Sequence, residues 1–267
     1  MELVWIAAAV GLAAVLLYML FIFPTQWVKV ERVAYPWPLG IKALQISDLH
    51  VEKLRVSPRR LEDIVRREKP DYVLLTGDFT EKARMLPKVE RYVKAATCLG
   101  VPAFAVLGNH DHHLDPPALR RLVSILEDAG VQVLSNRSVE ADGFRIVGID
   151  DYGSGKSKVG KAFRDVKPGE PVLVLTHNPN VLLGIRQKYN FLMGGHFHGM
   201  QFHVPFLFRY IRKGTLPKRG IYKGLHEGEN GAFYISKGIG QAGPNARFLL
   251  RSEVTVHEWP GMNGTKT

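Results

Sequence analysis

The stretch Lys42-Ala-Leu-Gln-Ile-Ser-Asp-Leu-His50 joins a run typical of a buried strand to two side chains of metal-binding type. The same arrangement recurs where Tyr72-Val-Leu-Leu-Thr76 precedes Gly77-Asp78, and where Ala103-Phe-Ala-Val-Leu107 precedes Gly108-Asn109. Short apolar runs that end at glycine and polar residues predict strands buried on both faces. Polar side chains directly after such strands lie on loops that a rigid sheet positions, which favours a functional site there.

The spacing of the polar residues points to metal binding. Asp48 and His50 are two residues apart, as are His196 and His198 in Gly195-His-Phe-His198. In an extended chain, residues i and i+2 point to the same side, so each pair can reach one metal. Asp, Asn and His supply the oxygen and nitrogen atoms that borderline divalent metals bind. The sequence therefore predicts a metal site at several strand ends.

Five motifs occur in a fixed order: Asp48-Leu-His50, Gly77-Asp78, Gly108-Asn-His-Asp111, a lone His177 and Gly195-His-Phe-His198. Together they resemble the calcineurin-like metallophosphoesterases, and the match extends over roughly residues 41–258. The resemblance implies an α/β fold, a four-layer sandwich of two mixed β-sheets flanked by helices. The N-terminal apolar run adds a predicted transmembrane helix to it. Without the resemblance, the order of helices and strands indicates only α/β or α+β.

The resemblance also implies a dinuclear metal site. Two divalent ions (Mn²⁺, Fe or Zn²⁺, with Mn²⁺ favoured) would clamp the attacking and leaving oxygens of a phosphoryl transfer and lower the pKa of a water. Asp78 would bridge the two ions. The other ligands would be Asp48, His50 and His198 on the first ion, and Asn109, His177 and His196 on the second.

Other polar residues of these loops receive supporting roles. The resemblance implies that His110 faces the substrate, where it either stabilises the charge of the phosphorane-like transition state or protonates the leaving oxygen, and that Asp111 orients His110. A helix cap or turn is the alternative for Asp111. Glu81 is either a carboxylate behind the site or an exposed loop residue. We expect His112 and His113 on the loop surface, because the resemblance fills the metal sites without them.

The composition indicates one catalytic domain behind a membrane anchor. The chain has 267 residues, 46% of them hydrophobic, which is typical of a globular protein. Its single cysteine, Cys98, permits no internal disulfide, so cysteine usage does not indicate the redox compartment. We predict an anchor over 1–28 and the catalytic domain over 29–267.

The anchor prediction rests on the N-terminal apolar run. Leu3 to Phe23 carries no charge, about 21 residues, enough to span a hydrocarbon core of about 30 Å. A cleaved signal is the alternative, but Met1-Glu2 is not basic, and no small-residue cleavage site follows Phe23. Lys29, Arg32 and Lys42 follow the run, which favours a single-pass protein of the cell membrane with a cytoplasmic catalytic domain. An exported catalytic domain is the alternative.

A formal net charge of +11 allows nucleic acid or an anionic membrane as a partner. The run 206–223 interleaves aromatic residues with basic ones, which favours an anionic membrane surface. Because the run follows His198 closely, we expect it near the metals, with Arg212 and Lys213 as candidate substrate-binding residues. A solvated basic loop is the alternative, and we expect no nucleic acid. The sequence does not indicate the oligomeric state.

The later part of the chain is similar to the membrane-associated bacterial branch of the family, which includes UDP-diacylglucosamine hydrolases. The similarity lies in 196–205, 234–240 and Arg247-Phe248, with departures at Phe197 and Met200, which should border the pocket. Arg247 is predicted either to bind a substrate phosphate bidentately or to form a structural ion pair.

We therefore expect a membrane-anchored phosphohydrolase that cleaves a phosphoester or pyrophosphate in a lipid-linked substrate. The alternatives are a phosphodiesterase of soluble nucleotides and a membrane binding protein with a relic site.

Periodicity predicts the elements that carry these motifs. Helices are expected over 58–69, 87–99, 116–129 and 180–188. Strands are expected over 42–47, 72–76, 103–107, 131–134, 144–149, 172–176, 191–194, 201–204, 232–236 and 253–258.

Overall fold

The computed structural model describes residues 1–202, 204 and 213–261, and these residues form two mixed six-stranded sheets. The first sheet has the order β1-β12-β2-β3-β4-β5, and the second has the order β10-β11-β9-β8-β7-β6. The strands of the first sheet are β1 (Lys29–Ala34), β2 (Ile41–Ile46), β3 (Tyr72–Thr76), β4 (Ala103–Val106), β5 (Val131–Val133) and β12 (Glu253–Trp259). Those of the second are β6 (Arg137–Ala141), β7 (Phe144–Ile149), β8 (Val172–Thr176), β9 (Phe191–Gly194), β10 (Gly224–Gly228) and β11 (Gly231–Ile235).

Helices cover the outer faces of the sheets. After the N-terminal helix α1 (Glu2–Gln26), the helices of the domain are α2 (Pro58–Glu68), α3 (Leu86–Ala96), α4 (Pro116–Asp128), and the short α5 (Val159–Ala162) and α6 (Thr215–Lys218). The first residues of α2 and α4 are determined by local sequence. The side chains of Ser57 and Asp115 each accept a hydrogen bond from the amide three residues later, and a proline follows each of them. The predicted helices at 58–69, 87–99 and 116–129 therefore form within three residues of their expected ends.

Side-chain alternation divides the interior into three cores. In β3, Val73 and Leu75 pack against helices α2 to α4, whereas Tyr72 and Leu74 pack between the sheets. Strand β8 alternates in the same way, with Leu173 and Leu175 between the sheets. Because these central strands are buried on both faces, their sequences are almost continuously apolar.

The predicted elements near the end of the second sheet differ from the structure. Instead of a helix over 180–188 there is a 3₁₀ segment, Pro179–Gly184, whose start is held by the Asn178 side chain. Instead of a strand over 201–204, the described residues form an isolated bridge between Phe202 and Phe248, and residue 203 lies outside the described residues. The helix prediction was wrong because the Asn178 side chain caps a 3₁₀ turn there, a local bond that apolar periodicity does not reveal. The strand prediction was wrong at the described residues, which pair only at Phe202.

The N-terminal helix α1 (Glu2–Gln26) is a candidate membrane span, with a mean hydropathy of 2.6. All of its residues up to Leu20 are exposed, whereas its last turns contact the domain. Thr25 is buried there, and the Arg247 amide donates to the Phe21 carbonyl at 2.9 Å. A π-helical segment, Tyr18–Ile22, precedes Pro24, as expected where proline cannot supply an α-helical hydrogen bond. The end of the helix is thus part of the domain surface.

Candidate metal centre

The predicted ligands converge at the carboxyl ends of strands from both sheets. Asp48, Asp78 and Asn109 follow β2, β3 and β4 of the first sheet. His177 follows β8 of the second sheet, and His196 and His198 follow β9. A hydrogen bond joins the two sheets beside these strand ends: the Gln45 side chain of β2 donates to the Gly194 carbonyl of β9 at 3.0 Å. The candidate centre therefore lies where parallel strand ends of the two sheets meet, a usual place for a ligand site.

Glycines allow these strand ends to approach closely. A Cβ atom at Gly108 would collide with the carboxylate of Asp78, and one at Gly195 would collide with the side chains of Ser47 and Asp48. In these two motifs, glycine is therefore required because a residue from another strand occupies the space of a side chain. Both glycines allow the candidate ligands to lie close together.

The backbone is strained at five of the seven candidate ligands. A positive φ is uncommon for residues other than glycine, and such residues cluster at functional sites. At these five the values are 56° for Asp48, 38° for His50, 57° for Asp78, 69° for His196 and 53° for His198.

The ligand atoms form two groups, in each of which all atoms lie within 4.8 Å of one another. The first group contains Asp48, His50, Asp78 and His198, and the second contains Asp78, His177 and His196. The Asp78 Oδ2 atom lies 3.3 Å from His50 Nε2 and 3.1 Å from His177 Nε2. One carboxylate therefore takes part in both groups, as a bridging ligand would.

The Asn109 side chain fits the same interpretation. Its Oδ1 atom is buried and has no hydrogen-bond partner among the described residues. Burying an unpaired amide oxygen is costly, so such an atom in a native fold calls for a partner. A metal ion beside the second group would supply one.

Main-chain carbonyls set the orientation of two imidazoles. Nδ1 of His177 lies 2.8 Å from the Thr76 carbonyl, and Nδ1 of His198 lies 3.3 Å from the Gly240 carbonyl. In each ring Nδ1 donates its hydrogen, which leaves Nε2 as the atom that faces Asp78 or Asp48 and that a metal would bind. Metal-binding histidines are typically held in this way.

The ionisation of the site is dominated by Asp78. Burial alone would raise the pKa of this carboxyl, but the neighbouring His177 and His50 hold it well below its usual value. Burial lowers the pKa of His177, whereas the Asp78 charge and hydrogen bond outweigh it and raise that pKa to about 10. Burial lowers the pKa of His196 and His198, and the Lys213 charge adds to the effect.

These shifts predict that metal uptake releases protons. At pH 7 the metal-free His177 ring is protonated, because its pKa is about 10, and a metal on Nε2 must displace that proton. We expect about one proton released per chain and an apparent metal affinity that rises with pH. Calorimetry of Mn²⁺ binding in two buffers of different ionisation enthalpy measures this release. The His177→Asn variant should release less, and an absence of proton release from the unaltered chain would contradict the assignment.

The carboxylate that contacts the His110 ring is that of Glu81, whereas the resemblance implied Asp111. Oε2 of Glu81 lies 2.7 Å from Nδ1 of His110, and the hydrogen bond with His110 lowers the pKa of Glu81. Both carboxylate oxygens of Asp111 instead accept main-chain N–H groups, from Gly108, Asp78, Phe79 and Thr80. Asp111 therefore ties the β3 loop to the β4 loop, and the prediction that it orients the His110 ring was wrong.

His112 is also a correction. It was expected on the loop surface, but its side chain is largely buried, and Nε2 lies 2.6 Å from the Asp150 carboxylate. Ser135 donates to the same carboxylate at 2.6 Å. His113, in contrast, is exposed as expected.

The Arg247 side chain is turned into the protein interior and is not placed to reach a substrate phosphate. Its side chain is fully buried, and its guanidinium donates to the carbonyls of Lys237, Gly238, Gly240 and Arg251. Arg247 was predicted either to bind a substrate phosphate or to form a structural ion pair. Both predictions were wrong, because its guanidinium donates to main-chain carbonyl oxygens instead. Since the Gly240 carbonyl also contacts His198, Arg247 supports the loop behind the metal centre.

Lys213 lies beside the centre, whereas Arg212 lies outside the described residues. The Lys213 ammonium donates to the His196 carbonyl at 3.0 Å, and both residues border a cavity of about 480 Å³. Further lining comes from Tyr152, Asn178, Leu183 and Thr215. Phe197 and Met200, expected to border the pocket, are buried instead, Phe197 among core residues of the second sheet.

Comparison with known proteins identifies the family of the chain. Residues 41–200 match the family model described as calcineurin-like phosphoesterase. An uncharacterized metallophosphoesterase of Bacillus subtilis, YkoQ, is 36% identical over 92% of this chain and 97% of its own length. The UDP-2,3-diacylglucosamine pyrophosphatase LpxG of Chlamydia trachomatis is 26% identical over 62% of this chain and 66% of its own.

The fold is also found in a solved structure. The sulfate thiohydrolase SoxB of Thermus thermophilus superposes with a TM-score of 0.50 at 14% identity, covering 84% of this chain and 57% of that one. Family match, relatives and fold agree with the motifs at the strand ends. The chain therefore belongs to the calcineurin-like phosphoesterases, a family of hydrolases with a dinuclear site for divalent metals.

Proposed function

We propose that the protein is a dinuclear-metal phosphohydrolase, with Asp48, His50 and His198 around one ion, and Asn109, His177 and His196 around the other. The observation that carries the proposal is the place of Asp78 in both groups of ligand atoms. The bound ions, with Mn²⁺ favoured for these oxygen and nitrogen donors, would polarise the phosphoryl group and activate water.

His110 is proposed as the general acid. Its ring centroid lies 4.7 Å from that of His50, which places it at the edge of the centre without being one of the seven ligands. Its Nδ1 is held by Glu81, which leaves Nε2 to give a proton to the leaving oxygen. Lys213, at the wall of the adjacent cavity, is proposed to attract the substrate phosphate.

The proposed substrate is lipid-linked. Two features support this: the relative LpxG, named as a pyrophosphatase of UDP-2,3-diacylglucosamine, and the exposed apolar helix α1. We propose that residues 1–28 anchor the catalytic domain 29–267 to the membrane, with the domain on the cytoplasmic side because Lys29 and Arg32 follow the helix. A fused reporter that is active only in the cytoplasm tests this orientation.

A side-by-side substrate assay tests the proposal. The full-length chain in detergent with Mn²⁺ should hydrolyse UDP-2,3-diacylglucosamine with a kcat/KM on the order of tenfold or more above that for bis-p-nitrophenyl phosphate or a cyclic nucleotide, since remote binding energy favours the complete substrate. The Lys213→Gln variant should raise KM, whereas the exposed control Lys188→Gln should leave it unchanged.

Two results would contradict the proposal. A preference for cyclic nucleotides would favour the soluble-nucleotide phosphodiesterase. Failure to hydrolyse any of these compounds with two metals bound would favour a binding protein with a relic site.

A further inference from the structure

A second cavity opens where helix α1 leaves the domain. It has a volume of about 640 Å³, within the range typical of ligand pockets. Its walls come from Lys29 in edge strand β1, from Lys223 and Leu225 at edge strand β10, and from Leu249 and Arg251. It shares no lining residue with the 480 Å³ cavity beside His196 and contains none of the seven candidate ligands.

The cations of this cavity exceed its anions. Lys29 and Lys237 share one carboxylate, that of Glu31, at 2.6 and 3.2 Å, and Lys237 also contacts Glu253. Lys223 and Arg251 have no carboxylate partner among residues 1–202, 204 and 213–261. Two cations without a counter-charge in one concave site attract an anion.

Arg251 links the cavity to the end of α1. Its guanidinium lies 3.5 Å from the centroid of the Trp27 ring, and it donates to the carbonyls of Trp27 and Val28. Trp27 is itself 52% exposed, a typical condition for an aromatic residue at a membrane interface.

Apolar side chains stand at the rim of the same cavity. Leu249 is 66% exposed, and its φ of 54° is a strained value for a branched residue. Leu225, on the opposite side, is 41% exposed. The cavity therefore combines positive charge with apolar side chains directed to the surface, which fits an amphipathic ligand.

The chain also fixes the depth of the cavity relative to α1. Lys29 comes three residues after Gln26, so the two Cα atoms are at most about 11 Å apart. The 25 residues of α1 span about 37 Å, more than a hydrocarbon core of about 30 Å, so its last turn would reach the headgroup layer. If α1 spans the membrane as proposed above, Lys29 and the cavity lie at headgroup level.

We propose that this cavity binds the headgroup of an anionic phospholipid. The phosphate would lie between Lys223 and Arg251, and the first acyl carbons would contact Leu225 and Leu249. Such binding would fix the rotation of the domain on the membrane and hence the direction in which the metal centre faces. The proposal rests on the proposed membrane anchoring but not on catalysis.

Native mass spectrometry of the full-length chain tests the proposal. The protein is released from micelles that contain equal amounts of phosphatidylglycerol and phosphatidylcholine, and the retained lipid is counted. We expect preferential retention of phosphatidylglycerol. The double variant Lys223→Gln/Arg251→Gln should retain on the order of tenfold less, whereas the exposed control pair Arg186→Gln/Lys188→Gln should be unchanged.

Three further arms separate the alternatives. Equal retention of both lipids, or unchanged retention in the double variant, would overturn the proposal. Displacement by millimolar inorganic phosphate would show a site for free phosphate instead of lipid. The Asp78→Asn variant should keep its phosphatidylglycerol, and loss of the lipid there would assign it to the metal centre.

The anchoring itself has a separate readout. Recovery of the full-length chain in the soluble fraction of lysed cells would refute the anchoring on which this site depends. That result would hold whatever lipid the protein retains in the mass spectrometer. Recovery in the membrane fraction, with lost lipid retention in the double variant, supports both the anchoring and the lipid site.

Discussion

Replacing Asp78 with asparagine is expected to abolish hydrolysis of bis-p-nitrophenyl phosphate and to lower the metal content from about two ions per chain to less than one. The reason is that the Asp78 carboxylate is the only side chain common to both groups of ligand atoms in the described structure. The amide retains one oxygen but loses the charge, so it cannot offset two divalent ions in a buried site. Elemental analysis and turnover measured on the same preparation check both effects.

The matched control is Asp165→Asn, which makes the same change at an exposed residue. It should keep full activity and full metal content. An Asp78→Asn protein that retains two ions and normal turnover would refute the bridging assignment. Circular dichroism of both variants identifies a loss of activity caused by unfolding.

The central strands could be predicted because burial on both faces gives them a distinctive sequence. Strands β2, β3, β4 and β8 lie within one residue of their expected bounds. The edge strands β1, β6 and β10 were missed, since each is partly solvated and carries polar residues such as those of Lys29-Val-Glu-Arg-Val-Ala34. Their pairing depends on strands far away in the chain, as in the parallel pair β1 and β12.

The convergence of the candidate ligands could also be predicted, because strand ends and motif order determine which loops meet. The partners of individual side chains could not. Glu81 reaches His110 across 29 positions, and Arg247 finds carbonyls that only the folded loop 237–240 presents. Asp111 was the nearer candidate for contact with the His110 ring because it is the next residue in the sequence. The short turn Asp111–His113 instead directs its carboxylate away from that ring, toward four main-chain amides.

Replacing His110 with asparagine is expected to lower kcat on the order of 10²–10⁴-fold while about two metals per chain remain bound. The loss follows from the removal of a general acid that is not one of the seven ligands. A metal-free His110→Asn protein would instead identify His110 as a ligand, for example in a group with Glu81 and His113, whose ligand atoms also lie within 4.8 Å of one another.

Glu81→Gln separates positioning from direct catalysis. Because Glu81 acts through the His110 ring, its loss should lower kcat about 10–100-fold with little change in KM, the range typical of a residue that orients another. The double variant should be no slower than His110→Asn alone, since an orienting carboxylate has no effect without the ring it orients. Glu140→Gln, at a side chain 77% exposed, is the matched control and should leave kcat unchanged. If the two losses multiply in the double variant, Glu81 contributes independently of His110, and the pair is not a single proton-transfer unit.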